Sequence, residues 1–153
     1  MRMLSSINMT VYADNRRARF DYEMLTHYTA GVELVGLEVK AVKAGQMSLA
    51  GSYVGIRGGE AFLLGAEIAP YQPKNTPADY DPKRARKLLL SKEELNELAE
   101  AEGTKGLTIV PLSVYNKGRF LKADIAIARG KKKFDKRESI KKRDTERDLN
   151  RSL

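Results

Sequence analysis

Two compact clusters of cations carry the chemistry most legible in this chain. Asn15-Arg16-Arg17-Ala18-Arg19 sets three guanidiniums within four residues, and Lys83-Arg84-Ala85-Arg86-Lys87 sets four cations within five before Leu88-Leu89-Leu90. A guanidinium pairs bidentately with phosphate and its plane stacks on bases, so dense arginine is an RNA-type footprint. Tyr22, Tyr28, Tyr53, Tyr71, Tyr80 and Tyr115 add rings on which bases can stack. No helix-turn-helix or basic recognition helix accompanies them, which ranks RNA above duplex DNA.

Catalytic constellations fail one by one. His27 is the single histidine and there is no cysteine, which removes multi-histidine and thiolate metal centres, thiol nucleophiles and disulfides. His27 lies among Thr26, Tyr28 and Thr29 in a strand-like segment, where a structural or exposed role is the simplest reading. Gly31-Val-Glu-Leu-Val-Gly36 has phosphate-loop glycine spacing, but Leu37 and Glu38 follow where Lys and Ser/Thr are needed. Glu93, Glu94 and Glu97 belong to a solvated helix face. A magnesium-dependent nuclease is the competing enzyme class, and no paired-acid motif points to one. The sequence therefore predicts no enzyme, no metal and no cofactor.

Most of the positioning elements read as strands. Ser52 to Arg57 alternates and meets Gly58-Gly59, a two-residue hairpin turn, after which Glu60 to Ile68 returns. Leu107 to Tyr115 and Phe120 to Ala128 form a second hairpin around Asn116-Lys117-Gly118. On its return strand Leu121, Ala123, Ile125 and Ile127 share one face. Pro111 marks a slip in the outgoing strand's parity, which predicts a bulge. An earlier β stretch is expected over 19–28, continuing through 32–35. Ser91-Lys-Glu-Glu94 is a capping box opening a helix that Gly103 ends, and another short helix is expected over 37–44. Asp81-Pro82 caps a turn ahead of 83–90, and 69–81, with three prolines, is an irregular loop. The fold class is mainly β: an oligonucleotide-binding-type antiparallel barrel with about three short helices and a basic C-terminal tail.

The 153 residues carry a net charge of +8. From Arg129 to Leu153 there are 11 basic and 5 acidic residues, so this tail holds three quarters of that charge. Phe134, Ile140, Leu149 and Leu153 are too few to offset backbone ordering at roughly 1–2 kcal/mol per residue. The tail is expected to be disordered when free and to order on a polyanion. Residues 1–14 form an extension of unassigned role, 15–128 the RNA-binding barrel and 129–153 the tail. No run approaches the roughly 18 apolar residues of a membrane span, and the chain is expected to be cytoplasmic and a monomer when free.

The ordered series Asn15-Arg-Arg-Ala-Arg19, Tyr28-Thr-Ala-Gly31, Gly36-Leu-Glu-Val-Lys40, Ala44-Gly45, Ser52-Tyr-Val54, Gly59-Glu-Ala-Phe-Leu63, Arg86-Lys-Leu-Leu-Leu90 and Gly130-Lys-Lys-Lys-Phe-Asp-Lys-Arg137 resembles the SmpB (small protein B) family over about 15–143. The resemblance implies an adaptor that binds the tRNA-like domain of transfer-messenger RNA and brings it to stalled ribosomes for trans-translation. By position it implies RNA contacts from Asn15, Arg16, Arg19, Glu38, Lys40, Lys87 and Leu89, with Asn15 and Glu38 reading base edges or 2′-hydroxyls. It also implies ribosome contacts from Lys131, Lys132, Lys133, Asp135, Lys136 and Arg137, as a tail that turns helical in the empty mRNA path and decoding region of the small subunit. Phe20 and Phe134 stand where members often carry His, and Thr29 where an acid often precedes Ala-Gly. The alternative function is a general single-stranded RNA binder on the same barrel.

Overall fold

The computed structural model describes residues 9–131. The order is β1 (Val11–Asp14), α1 (Arg16–Asp21), β2 (Tyr22–Val32), α2 (Gly36–Lys43), β3 (Met47–Ser48), β4 (Tyr53–Arg57), β5 (Glu60–Leu64), β6 (Glu67–Ile68), a 3-10 turn (Pro73–Asn75), β7 (Arg86–Leu89), α3 (Lys92–Glu102), β8 (Leu107–Lys117) and β9 (Phe120–Gly130). Seven strands form one antiparallel sheet in the order β1-β8-β9-β2-β7-β5-β4, and β3 pairs with β6. The sheet curls until β4 contacts β8. No hydrogen-bonded pairing joins those two strands, so the oligonucleotide-binding-type barrel keeps an open seam there.

Local chemistry accounts for most elements. Gly58 and Gly59 have φ of 58° and 77°, the left-handed pair a tight hairpin requires, and they join Arg57 to Glu60. The register of β8 on β9 slips between Pro111 and Ser113, where the proline was expected to force a bulge. The slip lets Ile109 and Val114 both enter the main core, while Val110 and Leu112 face the other side. Ser91 accepts from the Glu94 amide and Glu94 reaches back to the Ser91 amide, so α3 opens on the predicted capping box.

Three expectations change. The stretch from residue 16 to 21 is a helix, not the approach to a strand. Asn15 caps it by accepting from the Ala18 amide at 3.2 Å, and no β-branched residue opposes the turn. One continuous strand, β2, then replaces the expected 19–28 and 32–35 segments. Val11–Asp14, assigned to the N-terminal extension, is a strand of the main sheet, with Ala13 opposite Val114.

Inside the curl, Leu63, Leu88, Ile109 and Ile125 belong to the main core, with Leu121, Ala123 and Ile127 from the predicted inner face of β9. On the outside, α1 lays Ala18 over Val110, Leu112, Ala126 and Ala128. That second cluster explains why β9 is apolar on both faces in its last half. Without α1, those side chains would meet water.

Candidate nucleic-acid interface

The cap that starts α1 decides what its residues present. Asn15 is 4% exposed, and its side-chain amide also donates to the Pro111 carbonyl at 2.9 Å. Both ends of the amide are therefore occupied in fixing α1 to the β8 bulge. Arg16, Arg17 and Arg19 are exposed. Arg17 Nε lies 2.8 Å from Asp21 Oδ2 and Arg19 Nη2 lies 2.9 Å from Asp14 Oδ1. Arg16 has no ion pair among the described residues.

The second arginine cluster divides between surface and interior. Glu38, at the third position of α2, accepts from the Val35 amide at 3.1 Å and so caps its own helix. Its Oε2 also accepts from Arg86 Nη2 at 2.6 Å and from Arg84 Nε at 3.0 Å, while Oε1 takes Arg84 Nη2. Glu38 and Arg86 have side chains with 0% exposure. Arg86 Nη1 further donates to the Ala66 and Pro82 carbonyls. Burial alone would raise the carboxyl pKa of Glu38, but the hydrogen bonds from Arg84, Arg86 and the Val35 amide and the charge of Arg86 outweigh it and lower the pKa overall.

Past that lock, β7 runs outward. Lys87 is half-buried with its ammonium 3.0 Å from Glu60 Oε1, an ion pair that raises the lysine pKa. Leu89 is 51% exposed and stands opposite Gly31 on β2. A β-carbon at Gly31 would lie 3.3 Å from that of Leu89, so the glycine lets the leucine lie close on the strand. Lys40 is exposed on α2. At the other end of β2, Tyr22 faces Gly130, and the Lys131 amide donates to the Asp21 carbonyl at 2.8 Å. Tyr22 and Gly31 lie nine positions apart on β2, which at about 3.3 Å per residue is a path of roughly 30 Å along the strand between the tail root and Leu89.

A family model described as SmpB protein matches residues 12–153. The SsrA-binding protein of Gloeothece citriformis is 48% identical over 140 residues, covering 92% of this chain and 90% of the relative. That of Chloroflexus aggregans is 47% identical over 146 residues, covering 95% and 92%. The chain belongs to the SmpB family. A solved chain described under "tmRNA-SmpB: a journey to the center of the bacterial ribosome" agrees with a TM-score of 0.65 at 42% identity, covering 87% of this chain and 94% of that one.

Set on the SmpB framework, the expected site residues fall into three groups. Arg16, Arg19, Lys40, Lys87 and Leu89 present at least part of their side chains to solvent. Asn15 and Glu38 do not. Every polar atom of both side chains, which were expected to read base edges, is bonded inside the protein. Their part is to position α1 and β7. In the third group Lys131 sits at the tail root, whereas Lys132, Lys133, Asp135, Lys136 and Arg137 lie outside the described residues.

Sequence reasoning missed two features. The four cations of 83–87 are not one footprint, since strand alternation turns Arg86 inward to Glu38, which lies 48 residues away. Such a pair leaves no local trace. The second is Asn15 as the cap of α1, for which a signal did exist: asparagine ahead of a run without Gly or Pro is a standard helix-cap signal.

Proposed function

We propose that this chain is a non-enzymatic RNA adaptor. It binds the tRNA-like domain of transfer-messenger RNA through the barrel and brings that RNA to stalled ribosomes for trans-translation. The tail, from about residue 129, contacts small-subunit ribosomal RNA along the empty mRNA path, turning helical there. The adaptor works in the cytoplasm as a monomer when free, without cofactor or metal, and contacts no membrane. Among the described residues no helix is long and apolar enough to cross one.

The observation that carries this reading is the reach of the family match. It runs through 12–153 and so takes in the barrel and the basic tail together. Physics agrees on the division of labour. Exposed Arg16 and Lys40 and half-buried Lys87 neutralise phosphates, and Leu89 supplies apolar contact to bases or sugars. The tail lacks the apolar residues to pack on the barrel, and its 11 cations against 5 acids leave a surplus that needs an external anion.

A competition shift assay tests it at near-physiological salt. Labelled transfer-messenger RNA is challenged with ordinary tRNA and with single-stranded RNA of equal length. Survival of the complex at hundredfold excess of either competitor supports the adaptor. Equal competition by single strands would replace it with the general single-strand binder.

A further inference from the structure

Phe120, at the tip of the β8–β9 hairpin, is 69% exposed, more than any other large hydrophobic side chain among the described residues. Gly118, with φ of 62°, makes the turn there between Lys117 and Arg119. Strand alternation explains why Phe120 points outward, because Leu121, Ala123 and Ile125 fill the core from the opposite face of β9. It does not explain why the residue is aromatic. A polar side chain would serve the turn as well.

Cations surround the ring. Lys117 is its cross-strand partner, Arg119 precedes it, and Lys122 holds Nζ 5.9 Å from the ring centroid. None of the three has an ion pair among the described residues. From Tyr115 to Ala123 the sequence holds no acid, and Asp124, the first, faces His27 at 3.7 Å. A cation over one face of a ring leaves the other face open to a base, and the neighbouring charges suit the flanking phosphates. The platform is firm. The Asn116 amide donates to the Thr10 carbonyl at 3.1 Å, and the Asn116 side-chain oxygen accepts from the Thr10 amide.

The tip also continues a surface described above. Leu89, Gly31, Lys122 and Tyr115 are successive cross-strand partners on β7, β2, β9 and β8, so one row of the sheet's outer face joins the exposed leucine to the hairpin. At about 4.8 Å per strand, Lys122 lies roughly 10 Å from Leu89, with Phe120 two residues beyond it. The tail root at Gly130 is at the other end of β9, about 33 Å along the strand from Phe120. An RNA lying over Leu89 can reach Phe120 without meeting the tail.

We propose that the β8–β9 tip is a contact for the tRNA-like domain of transfer-messenger RNA, in which Phe120 stacks on an unpaired base and Lys117, Arg119 and Lys122 hold the phosphates beside it. The inference rests on the RNA-adaptor reading and extends its footprint to four residues that lie outside every motif of the family resemblance.

The test uses the full chain. It contains no tryptophan, so Phe120→Trp places a single reporter at the tip. Its emission is expected to be quenched on binding transfer-messenger RNA, and unchanged emission at saturation overturns the stacking. Phe120→Ala is expected to weaken binding about tenfold while leaving the slope of log affinity against log salt as in wild type. Lys117→Ala with Arg119→Ala is expected to lower that slope by about two units. Because the ring stands in solvent, Phe120→Ala should melt at the wild-type temperature; a fall in melting temperature alongside affinity would make the ring structural and overturn the proposal. Wild-type affinity in Phe120→Ala overturns it too. So does a loss confined to pelleting with ribosomes in the absence of transfer-messenger RNA, which would assign the tip to the ribosome. An equal loss on unstructured RNA that competes fully with transfer-messenger RNA would keep the stacking contact and sink the adaptor.

Discussion

Glu38 and Arg86, 48 residues apart, meet 2.6 Å from each other with neither side chain touching solvent. The pair ties α2 to β7 and holds the strand that carries Lys87 and Leu89. A buried carboxylate with a buried guanidinium is stable only as a unit. Replacing Glu38 with Ala strands the cation and is expected to destabilise the fold by about 3–5 kcal/mol. Glu38→Leu with Arg86→Met should recover most of that loss. Urea unfolding of the three proteins checks both statements, and an additive double variant would contradict them.

The same pair gives the fold a dependence on acid. The Glu38 carboxyl has a lower pKa folded than unfolded, so its contribution is complete above the unfolded value of about 4.3. It is then lost as pH falls through the lower folded value. Wild-type stability is expected to drop more steeply than that of the Leu–Met double variant below this point. Parallel curves for the two proteins between pH 5 and pH 2 would remove Glu38 as the cause.

Gly31 and Leu89 form a second coupled pair. Gly31→Ala puts a β-carbon 3.3 Å from that of Leu89, closer than most such contacts, and is expected to cost about 1 kcal/mol by overpacking. Leu89→Ala keeps that β-carbon but removes the Cδ1 and Cγ contacts at 3.4 and 3.7 Å, so it should relieve part of the crowding and the two changes will not add fully. A double-mutant cycle in thermal unfolding measures the coupling. Zero coupling would show that Leu89 moves aside freely.

Arg16 and Lys87 differ in how much of their charge is available to RNA. Arg16→Ala is expected to weaken RNA binding and to reduce the slope of log affinity against log salt by about one unit. Lys87 shares its charge with Glu60, so Glu60→Gln should strengthen binding while leaving the barrel folded. Filter binding across a salt series reads both. An unchanged slope in Arg16→Ala takes that residue off the phosphate path.

For the tail, combining Lys131→Ala, Lys132→Ala and Arg137→Ala is expected to leave affinity for free transfer-messenger RNA within about twofold while abolishing rescue of stalled ribosomes. Reconstituted translation on a message without a stop codon gives the rescue rate. Equal loss in both assays would refute separate duties for barrel and tail.

What the sequence determined by itself is what neighbours along the chain can decide. The Gly58-Gly59 hairpin, the Pro111 bulge, the Ser91 capping box and the inward face of β9 each depend on a few adjacent residues, and each was legible. The ordered motifs sufficed for the family. Tertiary structure alone decided which polar groups turn inward to protein and which stay at the surface. Arg84, Arg86 and Lys87 look alike in a string of letters. Strand alternation and the arrival of Glu38 from α2 send Arg86 inward, Arg84 to the edge and Lys87 out to Glu60. Asn15 likewise faces the β8 bulge because α1 needs its first amides capped and a roof is needed over Ala126 and Ala128. The seam between β4 and β8 is equally invisible in sequence, because it exists only where two distant strands approach without pairing.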